Sequence, residues 1–333
     1  MPSDKRLHVL ISIQQRVSQW QIPEAAARTI IERFPQVDFT YATSSAERAQ
    51  ALPTADVAYT WILNEHELAQ APRLQWVHSS AAAVETLCLA QIFARGIRVT
   101  NTRGVQAIPI AEHALAVLLA FAKQLPFTLA NQQQARWAQH QYVGARLPWL
   151  LSGRTLGLIG VGTIGGALAA RADALGMRVV ALRRQVGAPA VRGITKVFGR
   201  QDLPAMLGEC DALVIAAPLT PETDGLIGED AIAAMKRGAV LVNVGRARIV
   251  DTAALISALQ AGHLGGASLD VFPEEPLPPE HPLWACPNVI LTPHTSGFRQ
   301  GHWDEVVDVF ADNLRRFVSG APLRFEVKPE LGY

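Results

Sequence analysis

Three apolar runs late in the chain end in side chains that can handle charge or protons. "NVGRARIVD" places Arg246 just past one run, "SLDVFPEEPLP" places Asp270 at the end of another with Glu275 a few residues on, and "LTPHTSG" places His294 after the last. A guanidinium can pair with a carboxylate through two parallel hydrogen bonds and polarise a neighbouring carbonyl oxygen. An imidazole, with an ordinary pKa of about 6.5, can give or take a proton near neutral pH. A carboxylate beside it can fix the ring's tautomer and stabilise the charged form. If the runs are strands of an open parallel sheet, these ends face the crevice where ligands sit. One arginine, one histidine and two acids there would suit the reduction of a carbonyl acid.

A glycine pattern lies upstream. Gly160, Gly162 and Gly165 in "LIGVGTIGG" form G-x-G-x-x-G, directly after the strand-like "TLGLI" and before the helical "TIGGALAARADALG". In a dinucleotide site the first glycine allows a tight turn and the second lets the backbone approach a pyrophosphate. The third lets helix and strand pack closely, while the helix N-terminus supplies N–H donors and a positive dipole end. The strand that follows, "VVALRR", ends in Arg183 and Arg184 where a carboxylate would hold the adenosine ribose. A carboxylate there repels a 2′-phosphate, whereas an arginine fork binds one. The expected cofactor is NADP(H) in preference to NAD(H).

Composition sets the frame. The chain has 333 residues, 49% hydrophobic and 18% charged, enough for two domains with sizeable cores. A net charge of +1 without a long basic run argues against nucleic acid as a partner. Cys88, Cys210 and Cys286 are far apart with no metal-ligand spacing, which fits a reducing compartment. The amino terminus "MPSDKRLHVLISI" is short and alternating, unlike a cleavable signal, and "AIPIAEHALAVLLAFA" is interrupted by Glu112 and His113. The expectation is a cytoplasmic protein with no membrane partner and no metal.

Strand-like runs alternate with helical patterns throughout, the mark of parallel βαβ units. "HVLISI", "VDFTYA", "VAYTWI", "LQWVHSS" and "IRVTN" predict a five-stranded, flavodoxin-like domain ending near Asn101, with helices over 23–33 and 84–94. Helices are expected from about Pro109 to Lys123 and from Phe127 to Gln139. A second βα series runs from "TLGLIG" to "NVILTPH", and an amphipathic helix over 301–318 carries Val306, Val307, Phe310, Leu314 and Phe317 on one face. The fold class is α/β, with two Rossmann-like domains and a cleft between them: a flavodoxin-like substrate domain and a doubly wound parallel-sheet dinucleotide domain.

Several of these stretches, in this order, resemble the D-isomer-specific 2-hydroxyacid dehydrogenases, in the branch of glyoxylate and hydroxypyruvate reductases. They are "NTRGVQAIPIAEHALAVLLAFAK", "SGRTLGLIGVGTIGGALA", "PLTPETDGLIG", "NVGRARIVD", "LDVFPEEPLP" and "LTPHTSG". The resemblance implies that Arg246, Glu275 and His294 are catalytic, with Arg246 and His294 also touching substrate. It implies cofactor contacts from the glycine loop with Thr163 and Ile164, and from Arg183 and Arg184. Further cofactor contacts fall on Pro218, Thr223, Val244, Gly245, Asp270 and His294. Backbone N–H groups in "SSAAAVE", at Ala82 and Ala83, would hold the substrate carboxylate. Relatives often carry glycines there, so the alanines would make glycine-like φ values costlier.

The resemblance also implies a homodimer, with the helix from Pro109 and the 126–150 arm as interface and Trp137 and Trp149 as anchors. The substrate domain is expected at 1–101 plus 296–333, and the dinucleotide domain at 102–295. The expected substrate is a small 2-ketoacid or 2-hydroxyacid such as glyoxylate or hydroxypyruvate. Two alternatives use the same scaffold. Phosphite dehydrogenase keeps the Arg–Glu–His set, whereas formate dehydrogenases have Gln in the place of Glu275. Corepressors of the C-terminal-binding-protein type sense NAD(H) but carry an acid where Arg183 stands.

Overall fold

Side chains of successive strand residues point to opposite faces, so a strand apolar at every position must be covered on both sides. "VLV" at 240–242 and "ALVI" at 212–215 are of this kind: Val240, Val242, Ala212 and Val214 enter one core cluster, while Leu241, Leu213 and Ile215 enter another across the sheet. The computed structural model describes residues 6–15, 17–184, 187 and 189–329. Within it the chain divides into two units, Met1–Val105 with Phe298–Tyr333, and Gln106–Gly297.

In the first unit, β1 (His8–Ser12), β2 (Asp38–Tyr41), β3 (Val57–Thr60), β4 (Trp76–Ser79) and β5 (Arg98–Thr100) form a sheet in the order β2-β1-β3-β4-β5. Every neighbouring pair is parallel, and the order is flavodoxin-like. Val9, Ile11, Val57, Tyr59 and Trp76 face one cluster, while Leu10, Ala58 and Val77 face the other. The helix His302–Ser319 returns the carboxyl-terminal segment to this unit and buries Val306, Val307, Phe310, Ala311 and Leu314 in the first of these clusters.

In the second unit, β6 (Thr155–Ile159), β7 (Arg178–Leu182), β8 (Ile194–Phe198), β9 (Ala212–Ile215), β10 (Val240–Asn243), β11 (Gly266–Leu269) and β12 (Val289–Leu291) form a parallel sheet. Its order is β12-β11-β10-β9-β6-β7-β8. The chain starts at β6, winds out through β7 and β8, then returns to β9 on the other side of β6. That reversal is the topological switch point of a doubly wound sheet. The helix Ala107–Ala122 buries Ala111, Ala114, Leu118 and Phe121 against one face. Its approach needs Gly266, where a Cβ would lie 2.6 Å from the Phe121 ring.

Two helices are shorter than the sequence pattern predicts. In place of 84–94, only Leu89–Ala94 is helical. Residues 84–88 pair with 61–63 instead: Leu63 N–H donates to Thr86 O, and Cys88 N–H to Leu63 O. Burial of Val84 and Leu87 rewards that pairing over another helical turn. In place of 127–139, the helix is Leu125–Gln133 and Ala135 takes a left-handed φ of 51°. Its apolar side chains find no core stripe; Asn131 is its one buried residue.

No single helix among the described residues is long and apolar enough to cross a membrane. The helices Ala107–Ala122 and Leu125–Gln133 pass that test only together, across a 70° bend.

Phe310 anchors the last helix, its ring 4.1 Å from Tyr59 and nearly parallel to it, and 5.5 Å from Trp76. Phe310→Ala should cost about 3–5 kcal/mol of unfolding free energy, from lost burial plus the cavity left behind. Urea denaturation measures this; a loss below about 1 kcal/mol would mean the site collapses and the ring is not the anchor.

Candidate active site

All seven strands of the second unit's sheet run parallel, so their carboxyl ends share one edge. The glycine loop follows β6 there, and Gly162 caps the helix Thr163–Ala174. Gly160 sits at φ +94°, where a Cβ would also lie 2.8 Å from the Ala217 backbone. A Cβ on Gly165 would stand 2.1 Å from Gly160 O, so this glycine lets the helix close onto the turn. A Cβ on Gly162 would meet nothing within 4 Å. Two glycines are therefore demanded by the protein's own packing, and the third keeps an open approach to backbone. Thr163 is exposed beside it, and Ile164 turns partly into the core. This is a cradle that fits a pyrophosphate at a helix N-terminus.

Arg183 and Arg184 follow β7, and the Arg183 guanidinium donates to Pro189 O at 2.9 Å. The turn after β9 is locked by Thr223, whose hydroxyl donates to Pro218 O and accepts from Thr220 N–H, both at 2.8 Å. Val244 and Gly245 are buried after β10, and a Cβ on Gly245 would lie 2.8 Å from Ala217 O.

Arg246 is held by Asn243, which the sequence reading passed over. The Asn243 side chain accepts from Gly245 N–H and donates to Arg246 O, each at 3.0 Å. An Asn bonding the backbone two residues on is an Asx-turn, and "VNVGR" carries its signature. The Arg246 guanidinium donates to Gly245 O at 2.9 Å.

His294 Nδ1 bonds Glu275 Oε2 at 2.8 Å, and the other Glu275 oxygen accepts from Phe272 N–H at 3.0 Å. The bond to Glu275 is the main cause that raises the His294 pKa. Burial opposes it, Asp270 adds to it and Arg246 subtracts from it. Partial burial alone would push the Glu275 carboxyl up. The bonds from His294 and Phe272, with the charges of His294 and Arg246, outweigh that and hold it low. Arg246, Glu275 and His294 are thus within electrostatic reach of one another.

Asp270 has a different place. It is 1% exposed, and its carboxylate accepts from Thr292 Oγ1 at 2.6 Å, Thr295 N–H at 2.9 Å and Ser296 N–H at 3.1 Å. It fastens the segment on either side of His294, which itself sits at φ +55°. A left-handed φ is unusual for a residue with a side chain and persists only where the surroundings impose it. His113 Nε2 approaches Thr292 Oγ1 at 3.4 Å from behind. Neither Thr292 nor His113 has a local sequence signal for this role.

Ala82 and Ala83 belong to the first unit, in the loop after β4. Asn101 Nδ2 donates to Ala82 O at 2.8 Å, and Ser79 Oγ to Ala83 O at 3.2 Å. No residue of 79–85 has a positive φ, so the expected strain at these alanines does not arise. Among the described residues no group of three or more His, Cys, Asp or Glu side chains could hold a metal ion.

Residues 115–296 match the family model for the NAD-binding domain of D-isomer-specific 2-hydroxyacid dehydrogenases. The glyoxylate reductase of Thermococcus litoralis is 33% identical over 320 residues, covering 93% of this chain and 94% of that one. A D-isomer-specific 2-hydroxyacid dehydrogenase from Xanthobacter autotrophicus, solved with NADPH and MES, superposes with a TM-score of 0.83 at 29% identity, covering 98% of this chain and 99% of that one. An NADPH-dependent glyoxylate/hydroxypyruvate reductase from Sinorhizobium meliloti, solved with NADP and malonate, gives 0.77 at 28%, covering 98% of both chains. With the glycine cradle and the Arg–Glu–His set on one sheet edge, these likenesses place the chain in the D-isomer-specific 2-hydroxyacid dehydrogenase family, as an NAD(P)-dependent enzyme.

Proposed function

We propose that the protein is an NADP(H)-preferring reductase of small 2-ketoacids, glyoxylate or hydroxypyruvate among them. The observation that carries the reading is the 2.8 Å bond from His294 Nδ1 to Glu275, which leaves Nε2 as the nitrogen for proton transfer. When bound, the nicotinamide cofactor supplies a hydride to the carbonyl carbon or takes one back from the alcohol. Arg246 pairs with the substrate carboxylate and draws electron density toward the keto oxygen. His294 donates its proton to that oxygen, and Glu275 stabilises the imidazolium before the transfer. In the oxidative direction the neutral ring accepts the hydroxyl proton. Asp270 holds the backbone from which His294 projects and adds negative charge behind the cofactor site.

The first unit is the substrate-binding domain on this reading, with backbone N–H groups at Ala82 and Ala83 receiving the substrate carboxylate. Pro218, Thr223, Val244 and Gly245 line the cofactor side as backbone walls. NADP(H) preference is supported by Arg183 and Arg184, and the related solved structures above contain NADPH or NADP. Glyoxylate as substrate is supported by the T. litoralis relative, a glyoxylate reductase. Steady-state rates with a panel of 2-ketoacids and both reduced cofactors test the whole reading. NADPH with glyoxylate or hydroxypyruvate should give the highest kcat/KM, and a better kcat/KM with NADH would reject the cofactor assignment. His294→Gln should lower kcat by roughly two to four orders of magnitude while the protein stays folded. A mutant keeping most of its turnover would remove His294 from the chemistry.

The working form on this reading is a homodimer. Leu129, Trp137, Val143, Leu147 and Leu150 leave apolar surface exposed along the 126–150 arm, with Trp137 86% exposed. Trp149, by contrast, is half-buried against its own core cluster, with Arg154 over its ring. Trp137→Glu should shift the species seen by light scattering from dimer toward monomer. A wild-type chain that is monomeric at micromolar concentration would contradict the assignment.

A further inference from the structure

Beside the glycine cradle, a third arginine joins Arg183 and Arg184. β7 and β8 pair in parallel with Leu182 opposite Phe198, and Arg183 N–H donates to Phe198 O at 3.0 Å. Past that pair the chain turns: Gly199 caps a short 3-10 helix beginning at Arg200, which thus leaves β8 two residues after Phe198 as Arg184 leaves β7 two residues after Leu182. Arg200 is exposed and reaches sideways, its guanidinium donating to the backbone carbonyl of Glu222 in the turn after β9. The Glu222 carboxyl lies within electrostatic reach of both arginines: the Thr220 hydroxyl, then its own backbone N–H, and after these the charges of Arg184 and Arg200, hold it below the ordinary range. Thr223 fixes that turn from inside through Pro218 O at 2.8 Å, so Glu222 stays in place. Lys196, within β8, is engaged by Glu209 at 2.9 Å.

We propose that Arg200 is a specificity-determining residue for the adenosine 2′-phosphate, and that Glu222 is the carboxylate this phosphate displaces from Arg184 and Arg200. The inference rests on the NADP(H) reading above and adds to it a residue from the next strand and an internal competitor. The chemistry is direct. A phosphate monoester carries close to two negative charges and three acceptor oxygens, more than one arginine fork can satisfy. Arg183 already gives one guanidinium N–H to Pro189 O, so neighbouring forks are needed to complete the shell. Without the phosphate, two adjacent guanidinium groups repel, and Glu222 relieves that repulsion. A 5′-diphosphate lacking the 2′-phosphate leaves Glu222 as the counter-charge of these arginines, so discrimination is a difference between two counter-anions.

The alternative is that Arg200 merely ties the end of β8 to the β9 turn. Titration calorimetry with adenosine 2′,5′-bisphosphate and with adenosine 5′-diphosphate separates the two. The proteins are wild type, Arg183→Ala, Arg200→Ala, Arg200→Lys and Glu222→Gln, with thermal melts to confirm folding. Arg200→Ala should weaken the bisphosphate roughly tenfold and leave the diphosphate unchanged. Arg200→Lys, which keeps charge but loses the fork, should fall between. Glu222→Gln should tighten the bisphosphate alone. An Arg200→Ala protein that binds both ligands as wild type does, or loses both equally, overturns the inference. If Arg183→Ala then still loses the bisphosphate selectively, the NADP(H) reading stands without Arg200. A wild-type protein with no preference between the ligands overturns that reading itself.

Discussion

The hydrogen bond between Glu275 and His294, at 2.8 Å, converts an ordinary imidazole into one poised to carry a proton. Its effect has a definite sign. A carboxylate at Nδ1 favours imidazolium, so the histidine stays protonated to higher pH than an unpartnered ring would. Burial of the ring and, after it, the charge of Arg246 work against this. A proton donor must also be able to let go. The two charges come from residues at the ends of different strands, so the balance depends on the sheet edge being rigid.

That rigidity has local causes. Asp270 gathers Thr292, Thr295 and Ser296 onto one buried carboxylate, and His294 is held between them in a left-handed conformation. Asn243 does the same for Arg246 with two backbone bonds. The glycine turn is pinned because Gly165 lets the helix close onto it, where a Cβ would stand 2.1 Å from Gly160 O. Each functional group is therefore carried on a strand end and fixed by an uncharged or buried partner. Buried networks of this kind are valuable only when every member is satisfied, and on Asp270 both oxygens are.

Strand positions were readable in the sequence because segments such as "ALVI" and the "VLV" before Asn243 are apolar at every position, which only a doubly covered strand tolerates. Helix extents were less readable. Residues 84–88 have a helical pattern but are won by pairing with Leu63, a partner more than twenty residues away. Arg246, Glu275 and His294 stood out because polar residues follow apolar runs. The groups that hold them did not: Thr292 and Asp270 meet across 22 positions, and the left-handed φ of His294 has no glycine to announce it. Arg200 was invisible for a similar reason. Its nearness to the end of β7 follows from the pairing of Leu182 with Phe198, which a single sequence does not state.

The claim on which the account turns is that His294 and Glu275 act as one proton-transferring pair. Measuring kcat against pH in both directions, for wild type and Glu275→Gln, tests it most directly. Reduction requires imidazolium, so its rate should be full below the raised His294 pKa and fall as pH rises through it; oxidation should show the opposite limb. Glutamine keeps a hydrogen bond but carries no charge, so both limbs should move to lower pH together. Limbs that remain where they are in the glutamine variant would mean that the two residues are not coupled, and the account would fail.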